Sequence, residues 1–174
     1  PGLGIELLDE CESTSTLLMS RSDSAASGSV IVCEHQRAGR GRRGRQWLSD
    51  GHGSLTFSML WRFGREAQPL SGLSLAVAVA LVRALEQMGF AGILVKWPND
   101  LLFQGAKLAG ILTEVSGAGV AVIGIGLNMR LPEGFAAALE RPVTDLASVA
   151  DGRIGVPDRN AVLAGVLAGL ADCL

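Results

Sequence analysis

The sequence has few lysines, few cysteines and little net charge, and each of these features excludes some classes of protein. Only Lys96 and Lys107 are lysines, whereas acidic and basic residues nearly balance at 17 against 15. No global electric field therefore favours nucleic acid or an anionic membrane. Cys11, Cys33 and Cys173 are far apart, odd in number and without metal-ligand spacing. We expect a reduced, cytoplasmic protein without a nucleic-acid or membrane partner.

The chain also lacks a long uninterrupted apolar run. The longest nearly continuous one, residues 73–82, is shorter than the roughly 18 to 20 residues that span a bilayer, and no signal-peptide pattern opens the sequence. Yet 48% of the 174 residues are hydrophobic, which is enough for one packed core. We expect a single domain, residues 1–174, without repeats or linkers.

Strand patterns dominate the first and middle parts of the chain. Residues 29–36 are β-branched and apolar, which predicts a strand. Residues 54–63 alternate so regularly that we expect a half-buried strand, with Thr56 and Ser58 pointing away from the core. Three or four short apolar runs between residues 92 and 129 predict an antiparallel meander.

Helix patterns surround these strands. Ser13 is a candidate N-cap for a short helix, and residues 69–90 have the spacing of a long, largely buried helix that Gly89 ends. Residues 132–174 read as a helical tail in three pieces, the last opening with Pro and Asp. We therefore expect an α+β fold: a mixed, mainly antiparallel β-sheet with helices packed on it.

Residues 37–45 place five arginines and three glycines within nine positions. Gly39, Gly41 and Gly44 let the backbone approach an anion closely, while the guanidinium groups offer planar donor forks. Such a loop suits a phosphate or a carboxylate. A solvated basic loop is one alternative, and an RNA contact is another, although only Trp47 supplies a nearby aromatic ring. The known glycine-rich phosphate motifs do not fit.

Four polar residues next to short strands could serve a site or merely a turn. Pro98 disfavours helix before it, so Asn99 and Asp100 lie in a strand-to-strand connection, where Asx turns are common. Lys107 lies at a strand start, and Asn128 closes a glycine-interrupted strand. Taken singly, each has an ordinary structural interpretation.

Taken together, five segments closely resemble the catalytic domain of biotin protein ligases, the biotin–acetyl-CoA-carboxylase ligases. They are STS at 13–15, EHQRAGRGRRGRQW at 34–47, VKWPND at 95–100, KLAGIL at 107–112 and GIGLNM at 124–129. The resemblance runs from about residue 6 to residue 129. It implies a class II synthetase-like fold and an ATP-dependent ligase. Such enzymes form biotinyl-5′-AMP from biotin and MgATP, and then biotinylate a lysine of a biotin carboxyl carrier domain.

The resemblance also implies which residues form the site. The catalytic positions are Lys107, Arg40 and Arg42. The biotin-binding positions are Ser13, Thr14, Ser15, Gln36, Arg40, Gly41, Arg42 and Lys107. The ATP- and adenylate-binding positions are Gly39, Arg42, Arg45, Trp47, Asn99, Gly110 and Asn128. Asp100 is either a partner for Mg²⁺ or an acceptor that orients Lys107. Ser15 stands where asparagine is common in the family, and we expect residues 38–47 to be mobile when the site is empty.

The same resemblance sets expectations about which further domains are present, and alternative functions stay open beside it. No helix-turn-helix pattern precedes the matching part, so we expect no N-terminal DNA-binding domain. We also expect the small C-terminal β-barrel domain of the family to be absent or truncated. A homodimer through a sheet edge is compatible with the pattern. The alternatives are a lipoate or octanoate ligase or transferase of related fold, a non-enzymatic nucleic-acid binder, and a module that binds biotin without chemistry.

Overall fold

The computed structural model describes residues 2–49, 51, 53–64, 70–117, 119–135, 139, 141–150, 155 and 158–174. Seven strands are found in this part of the chain: β1 (Gly4–Cys11), β2 (Ser29–Gln36), β3 (Ser54–Arg62), β4 (Leu94–Lys96), β5 (Asp100–Phe103), β6 (Ala106–Val115) and β7 (Val120–Asn128). They form one sheet in the order β1-β2-β3-β7-β6-β5-β4. β1 and β2 pair in parallel, and the other neighbouring strands pair antiparallel. The predicted α+β class with a mixed, mainly antiparallel sheet is confirmed.

The described helices are α1 (Thr14–Ser20), α2 (Leu73–Gln87), α3 (Leu146–Ala150) and α4 (Arg159–Cys173). Ser13 caps α1, because its hydroxyl accepts a hydrogen bond from the Thr16 amide at 3.4 Å. Asp158 caps α4 in the same way, accepting from the Ala161 amide at 2.9 Å. Both predicted helix starts are confirmed. Pro69, residues 136–138, residue 140, residues 151–152 and Pro157, which belong to predicted helices, lie outside the described residues.

The main core lies between the sheet and helices α2 and α4. Val77, Leu81 and Leu85 are completely buried there, as the periodicity predicts, and burying each such side chain stabilises the fold by roughly 1.5–3 kcal/mol. The segment Leu70–Gln87 is long and apolar enough to cross a membrane by length and composition, which the shorter run within it did not suggest. Part of this segment is buried against α4 and the sheet.

Strand β3 is buried on both faces, so the expectation of a half-buried strand is wrong. Leu55, Phe57 and Met59 join the main core, whereas Thr56 and Ser58 are buried on the opposite face, the side on which α1 packs. A second apolar cluster forms there from Leu18, Ile31, Leu60 and Val122. Alternation identified the two faces correctly, but it could not reveal that both are covered.

Strand β1 is the element that the sequence patterns do not predict. It pairs with β2 along its length, from Gly4 opposite Ser29 to Cys11 opposite Gln36. Its large side chains Ile5 and Leu7 are exposed, so it shows no clear apolar face. The pairing with β2 sets β1 at an edge of the sheet, and the chain then turns into α1 beside the end of β2.

Candidate active site

A cavity lies on the α1 side of the sheet, beneath the arginine-rich loop. Its free volume is about 50 Å³, less than the ~300–1,000 Å³ typical of small-molecule sites, so a ligand has to displace some of the side chains that line it. All five segments that carry the resemblance contribute to it. The predicted site residues that line it are Ser13, Thr14, Ser15, Gln36, Arg40, Gly41, Arg42, Arg45, Trp47, Asn99, Asp100, Lys107 and Gly110.

Two predicted site residues lie elsewhere. Gly39 lines the space on the other side of the arginine-rich loop, and Asn128 lines an adjoining cavity next to Trp47 and Lys107. The fold therefore brings most of the predicted residues to one cavity. The contact of each with a ligand stays a prediction.

One end of the cavity is neutral and tightly hydrogen-bonded; we call it the hydroxyl pocket (Thr14, Ser15, Gln36 and Ser58). The Thr14 amide and hydroxyl both donate to Gln36 Oε1, at 2.8 and 3.1 Å. Ser58 Oγ bonds to Thr14 Oγ1 at 2.8 Å and to Ser15 Oγ at 2.9 Å. All four residues are buried, so these mutual bonds fix their rotamers before any ligand arrives.

Ser58 and Gly124 belong to this pocket, and sequence reasoning missed both. A Cβ added to Gly124 would lie 2.4 Å from Ser15 Oγ, so the pocket exists only because this position has no side chain. The available signal was a pair of small polar residues, Thr56 and Ser58, inside an otherwise apolar strand. Strand register, with Ser58 opposite Gly124, was needed to join them.

In the middle of the cavity, the indole ring of Trp47 lies flat against glycines of the central strands. A Cβ added to Gly126 would lie 2.2 Å from Trp47 Cε2, and one added to Gly110 would lie 3.2 Å from Trp47 Cζ3. The Trp47 indole N–H is buried and has no hydrogen-bond partner among the described residues. The ring and the bare backbone make a flat wall against which another planar ring can stack.

The other end is charged; we call it the charged end (Lys107, Asp100, Arg42, Arg45 and Arg141). Lys107 Nζ donates to Asp100 Oδ1 at 2.5 Å. It also lies 5.6 Å from the centre of the Trp47 ring, where a cation–π contact stabilises its positive charge. Desolvation by burial lowers the pKa of Lys107, partly opposed by Asp100, while the charges of Arg141 and Arg45 lower that pKa further.

The backbone of Lys107 is fixed from several sides. Its amide donates to Pro142 O at 3.0 Å, and its carbonyl accepts from the Thr144 amide at 2.9 Å. Asn128 Nδ2 donates to Thr144 O at 2.9 Å and lies 3.4 Å from Lys107 O. The described contacts of Asn128 thus hold the strand that carries Lys107, and its adenylate contact stays a prediction.

Residues 39–47 form a small hairpin over the cavity, which we call the lid. The Trp47 amide donates to Gly39 O at 2.9 Å, and the Gly41 amide donates to Arg45 O at 2.7 Å. At the tip, Gly44 has φ +71°, a left-handed conformation that glycine adopts without strain. The glycines of the lid therefore shape a tight turn as well as clearing space. Whether the empty lid is mobile stays a prediction.

The arginines of the lid have different partners. Arg42 Nη1 lies 3.4 Å from Asn99 Oδ1 inside the cavity. Arg40 also borders the cavity, but its guanidinium is paired with Glu114 at 2.6 and 3.1 Å. Arg45 borders the cavity from the far side of the hairpin. Arg42 and Arg45 are therefore the lid charges that an anion in the cavity can reach without breaking a salt bridge described here.

Arg141 extends the charged end, and no motif pointed to it. Its Nη1 lies 3.9 Å from Asp100 Oδ2, and it borders both the main and the adjoining cavities. The sequence around Arg141 resembles the family only in outline, so nothing distinguished it from other surface arginines.

Asp100 and its neighbours do not by themselves form a metal site. The two carboxylate oxygens face Lys107 and Arg141, and no cluster of three or more His, Cys, Asp or Glu occurs in the part of the chain that the structure describes. A Mg²⁺ ion at this place would be held mainly by phosphate oxygens and water. The contact with Lys107 is the one that the second interpretation of Asp100 predicts, and both roles of Asp100 stay predictions.

Known proteins are similar to this chain in sequence. The chain is 40% identical over 134 residues to the bifunctional ligase/repressor BirA of Escherichia coli (strain K12), covering 75% of this chain and 42% of that protein. It is 36% identical over 169 residues to the biotin–[acetyl-CoA-carboxylase] ligase of Mycobacterium tuberculosis, covering 94% of this chain and 61% of that protein. The chain thus spans roughly half the length of these curated relatives.

A solved structure agrees with these matches. The biotin protein ligase from Aquifex aeolicus in complex with biotin and ATP superposes with a TM-score of 0.82 at 32% identity, covering 97% of this chain and 69% of that one. The model of the biotin/lipoate A/B protein ligase family matches residues 7–129, the part that contains the hydroxyl pocket, the lid, Asp100 and Lys107. This chain therefore belongs to the biotin/lipoate A/B protein ligase family.

Proposed function

We propose that residues 1–174 form the catalytic domain of a biotin protein ligase. It activates biotin with ATP to biotinyl-5′-AMP and transfers the biotinyl group to a lysine of the biotin carboxyl carrier domain of acetyl-CoA carboxylase. One observation carries this proposal: the neutral hydroxyl pocket and the charged end face a single cavity. Biotin has the same polarity, with a neutral ureido ring at one end and a carboxylate at the other.

The hydroxyl pocket selects the ureido ring. Hydroxyl groups both donate and accept hydrogen bonds, so Thr14 and Ser15, which line the cavity and are bonded to the buried Ser58, can serve the N–H groups and the carbonyl oxygen of a cyclic urea. An octanoyl or lipoyl chain offers no such partner and would leave these buried groups without ligand contacts. The pocket therefore favours biotin over the substrates of the nearest alternative function.

The charged end promotes the first chemical step. A carboxylate oxygen of biotin attacks the α-phosphorus of ATP and forms a P–O bond. The bond from that phosphorus to the bridging oxygen breaks, and its electron pair leaves with pyrophosphate. Two anions must approach each other, so fixed positive charge from Lys107, Arg42 and Arg45 lowers the barrier. Mg²⁺ bound with ATP supplies further counter-charge to the phosphates. Arg141, which borders the same cavity, can add positive charge near the phosphates.

The second step needs no nucleophile from this chain. A neutral lysine amine of the carrier attacks the carbonyl carbon of biotinyl-5′-AMP, a C–N bond forms, the C–O bond to AMP breaks, and the amine releases a proton. Burial raises the pKa of the Cys11 thiol to about 12, so this cysteine is protonated and unreactive at neutral pH. Direct transfer to the carrier is thus the simplest chemistry for this site.

We also propose where the reaction takes place and with whom. Cys11, Cys33 and Cys173 are free thiols, which supports a reducing, cytoplasmic location. The reaction requires neither nucleic acid nor a membrane. A homodimer through a sheet edge remains compatible, because β1 and β4 are the edge strands of the described sheet.

The decisive experiment measures pyrophosphate release with ATP and one acid at a time. Biotin should support release, whereas lipoate and octanoate at equal concentration should not. Labelled biotin should then appear on a biotin carboxyl carrier domain and stay absent from a carrier whose acceptor lysine is changed to arginine. Release that depends on lipoate or octanoate would replace this proposal by the lipoate-ligase alternative. Tight biotin binding without pyrophosphate release would support a binding module.

A further inference from the structure

The guanidinium of Arg40, which borders the cavity, is paired with a carboxylate that the proposed ligase chemistry does not use. Glu114 lies near the end of β6, beyond the residues that pair with β5. Its Oε1 accepts from Arg40 Nη2 at 2.6 Å and its Oε2 accepts from Arg40 Nη1 at 3.1 Å. Such two-pronged pairs are more directional and stronger than single contacts.

A second contact extends this pair to α1. Arg40 Nη1 lies 3.3 Å from Thr16 Oγ1, so one guanidinium joins the lid both to α1 and to β6. Within the lid, Arg40 forms a β-bridge with Gln46 of the other lid strand. A restraint on Arg40 therefore restrains both strands of the lid.

We propose that Glu114 is a positioning residue for the reaction: through Arg40 it fastens the lid over the bound intermediate. The inference rests on the proposed ligase function, because what the lid would retain is biotinyl-5′-AMP. That mixed anhydride is hydrolysed by water, so the fraction of time that the lid is open sets how much intermediate is lost before the carrier arrives. In this proposal, Arg42 and Arg45 supply positive charge to the anionic groups of the ligand.

The test compares Glu114→Gln with a matched control, Glu6→Gln. The control removes a salt bridge of the same length, Arg21 Nη1 to Glu6 Oε2 at 2.6 Å, on another part of the surface. In a single turnover with biotin and ATP but without carrier, loss of biotinyl-5′-AMP from the enzyme should be about three- to fivefold faster in E114Q, a size typical of a partly exposed ion pair. The rate of the first pyrophosphate release should change less than twofold, and E6Q should match the wild type.

Limited proteolysis gives a readout that does not depend on the ligase reaction. Trypsin cuts after arginine, so cleavage at Arg42 and Arg43 in the ligand-free protein reports lid opening. Cleavage there should be about threefold faster in E114Q than in the wild type or E6Q, and the charge-swapped variant R40E/E114R should return toward the wild-type rate. Equal melting temperatures of E114Q and E6Q ensure that folded proteins are compared.

The outcomes distinguish a failure of the Glu114 proposal from a failure of the proposed ligase function. If E114Q loses intermediate and is cleaved at the same rates as E6Q, the fastening role of Glu114 is wrong. A parallel fall in pyrophosphate release would also overturn it, since that result assigns Glu114 to the chemical step. If the wild type forms no biotinyl-5′-AMP at all, the ligase function fails, and the trypsin rates alone decide whether Glu114 holds the lid.

Discussion

The hydroxyl pocket and the charged end of one cavity are built on different physical principles. The pocket draws on α1, β2 and β3, and its four members are at most 8% exposed and bonded to one another. The charged end draws on β5, β6, the lid and the connection before α3, and only Lys107 among its basic groups is buried. The comparison teaches that the neutral end is uniformly buried and preorganised, whereas the charged end combines one buried lysine with arginines from surface segments.

Desolvation explains the difference. Hydroxyl and amide groups can be buried cheaply when they bond to each other, but a buried charge costs several kcal/mol unless a partner compensates it. Lys107 is buried with Asp100 as that partner, and the arginines stay near solvent. A ligand can therefore carry its own anions to the charged end without the protein having to desolvate many cations beforehand.

The largest effect should follow removal of the buried charge. Lys107→Ala should lower the rate of biotin-dependent pyrophosphate release by about 10²–10³-fold, because a preorganised charge at the reacting atoms is lost. The matched control is Lys96→Ala, which removes the other lysine of the chain from an exposed position on β4. Equal rates for K107A and K96A would contradict the central role of Lys107.

Filling the neutral end should give the next largest effect. Gly124→Ala places a Cβ at 2.4 Å from Ser15 Oγ, so we expect the KM for biotin to rise at least about tenfold, equivalent to roughly 1.4 kcal/mol, with the KM for ATP nearly unchanged. Gly4→Ala is the control, since a Cβ there meets nothing within 4 Å. A rise in the KM for ATP instead would mean that the pocket serves the nucleotide.

Removing one hydroxyl should have a smaller effect at the same end. Ser58→Ala takes away the group that joins Thr14 to Ser15, so the KM for biotin should rise about three- to tenfold, in line with one or two lost hydrogen bonds. The turnover number should stay within about twofold, because Ser58 is far from the charged end. Ser74→Ala, which removes a hydroxyl pair of 2.6 Å with Thr113 outside the cavity, should leave both constants unchanged.

The smallest change is expected from pH, and it distinguishes the two ends directly. Burial lowers the pKa of Lys107, so its positive charge is lost, as pH rises, below the roughly 10.4 of a free lysine. Pyrophosphate release should therefore decline on the alkaline side before that value. Biotin affinity, which depends on neutral hydroxyls, should vary less over the same range. An alkaline decline that is the same for both quantities would remove this distinction.

Much of the site could be predicted from local sequence. The glycines and arginines of the lid stand out by composition, whereas Lys107 and the Asn99–Asp100 pair were identified only because their segments resemble those of biotin protein ligases. Ser58, Gly124 and Arg141 could not be found in that way. Ser58 looks like any polar residue of an alternating strand, and only its register opposite Gly124 places both beside α1. Arg141 lies in a connection without a distinctive pattern.

The fold, like the site, has parts that local sequence predicts and parts that it does not. Periodicity and capping residues predicted α1, α2, α4 and the antiparallel meander. These signals lie in residues that are close together in the chain, so they can be read from the sequence alone. The tertiary structure alone decided that β1 joins the edge of the sheet, that β3 is covered on both faces, and that Arg40 pairs with Glu114. Each of these depends on contacts between residues distant in sequence, where the partner, and not the local pattern, sets the free energy.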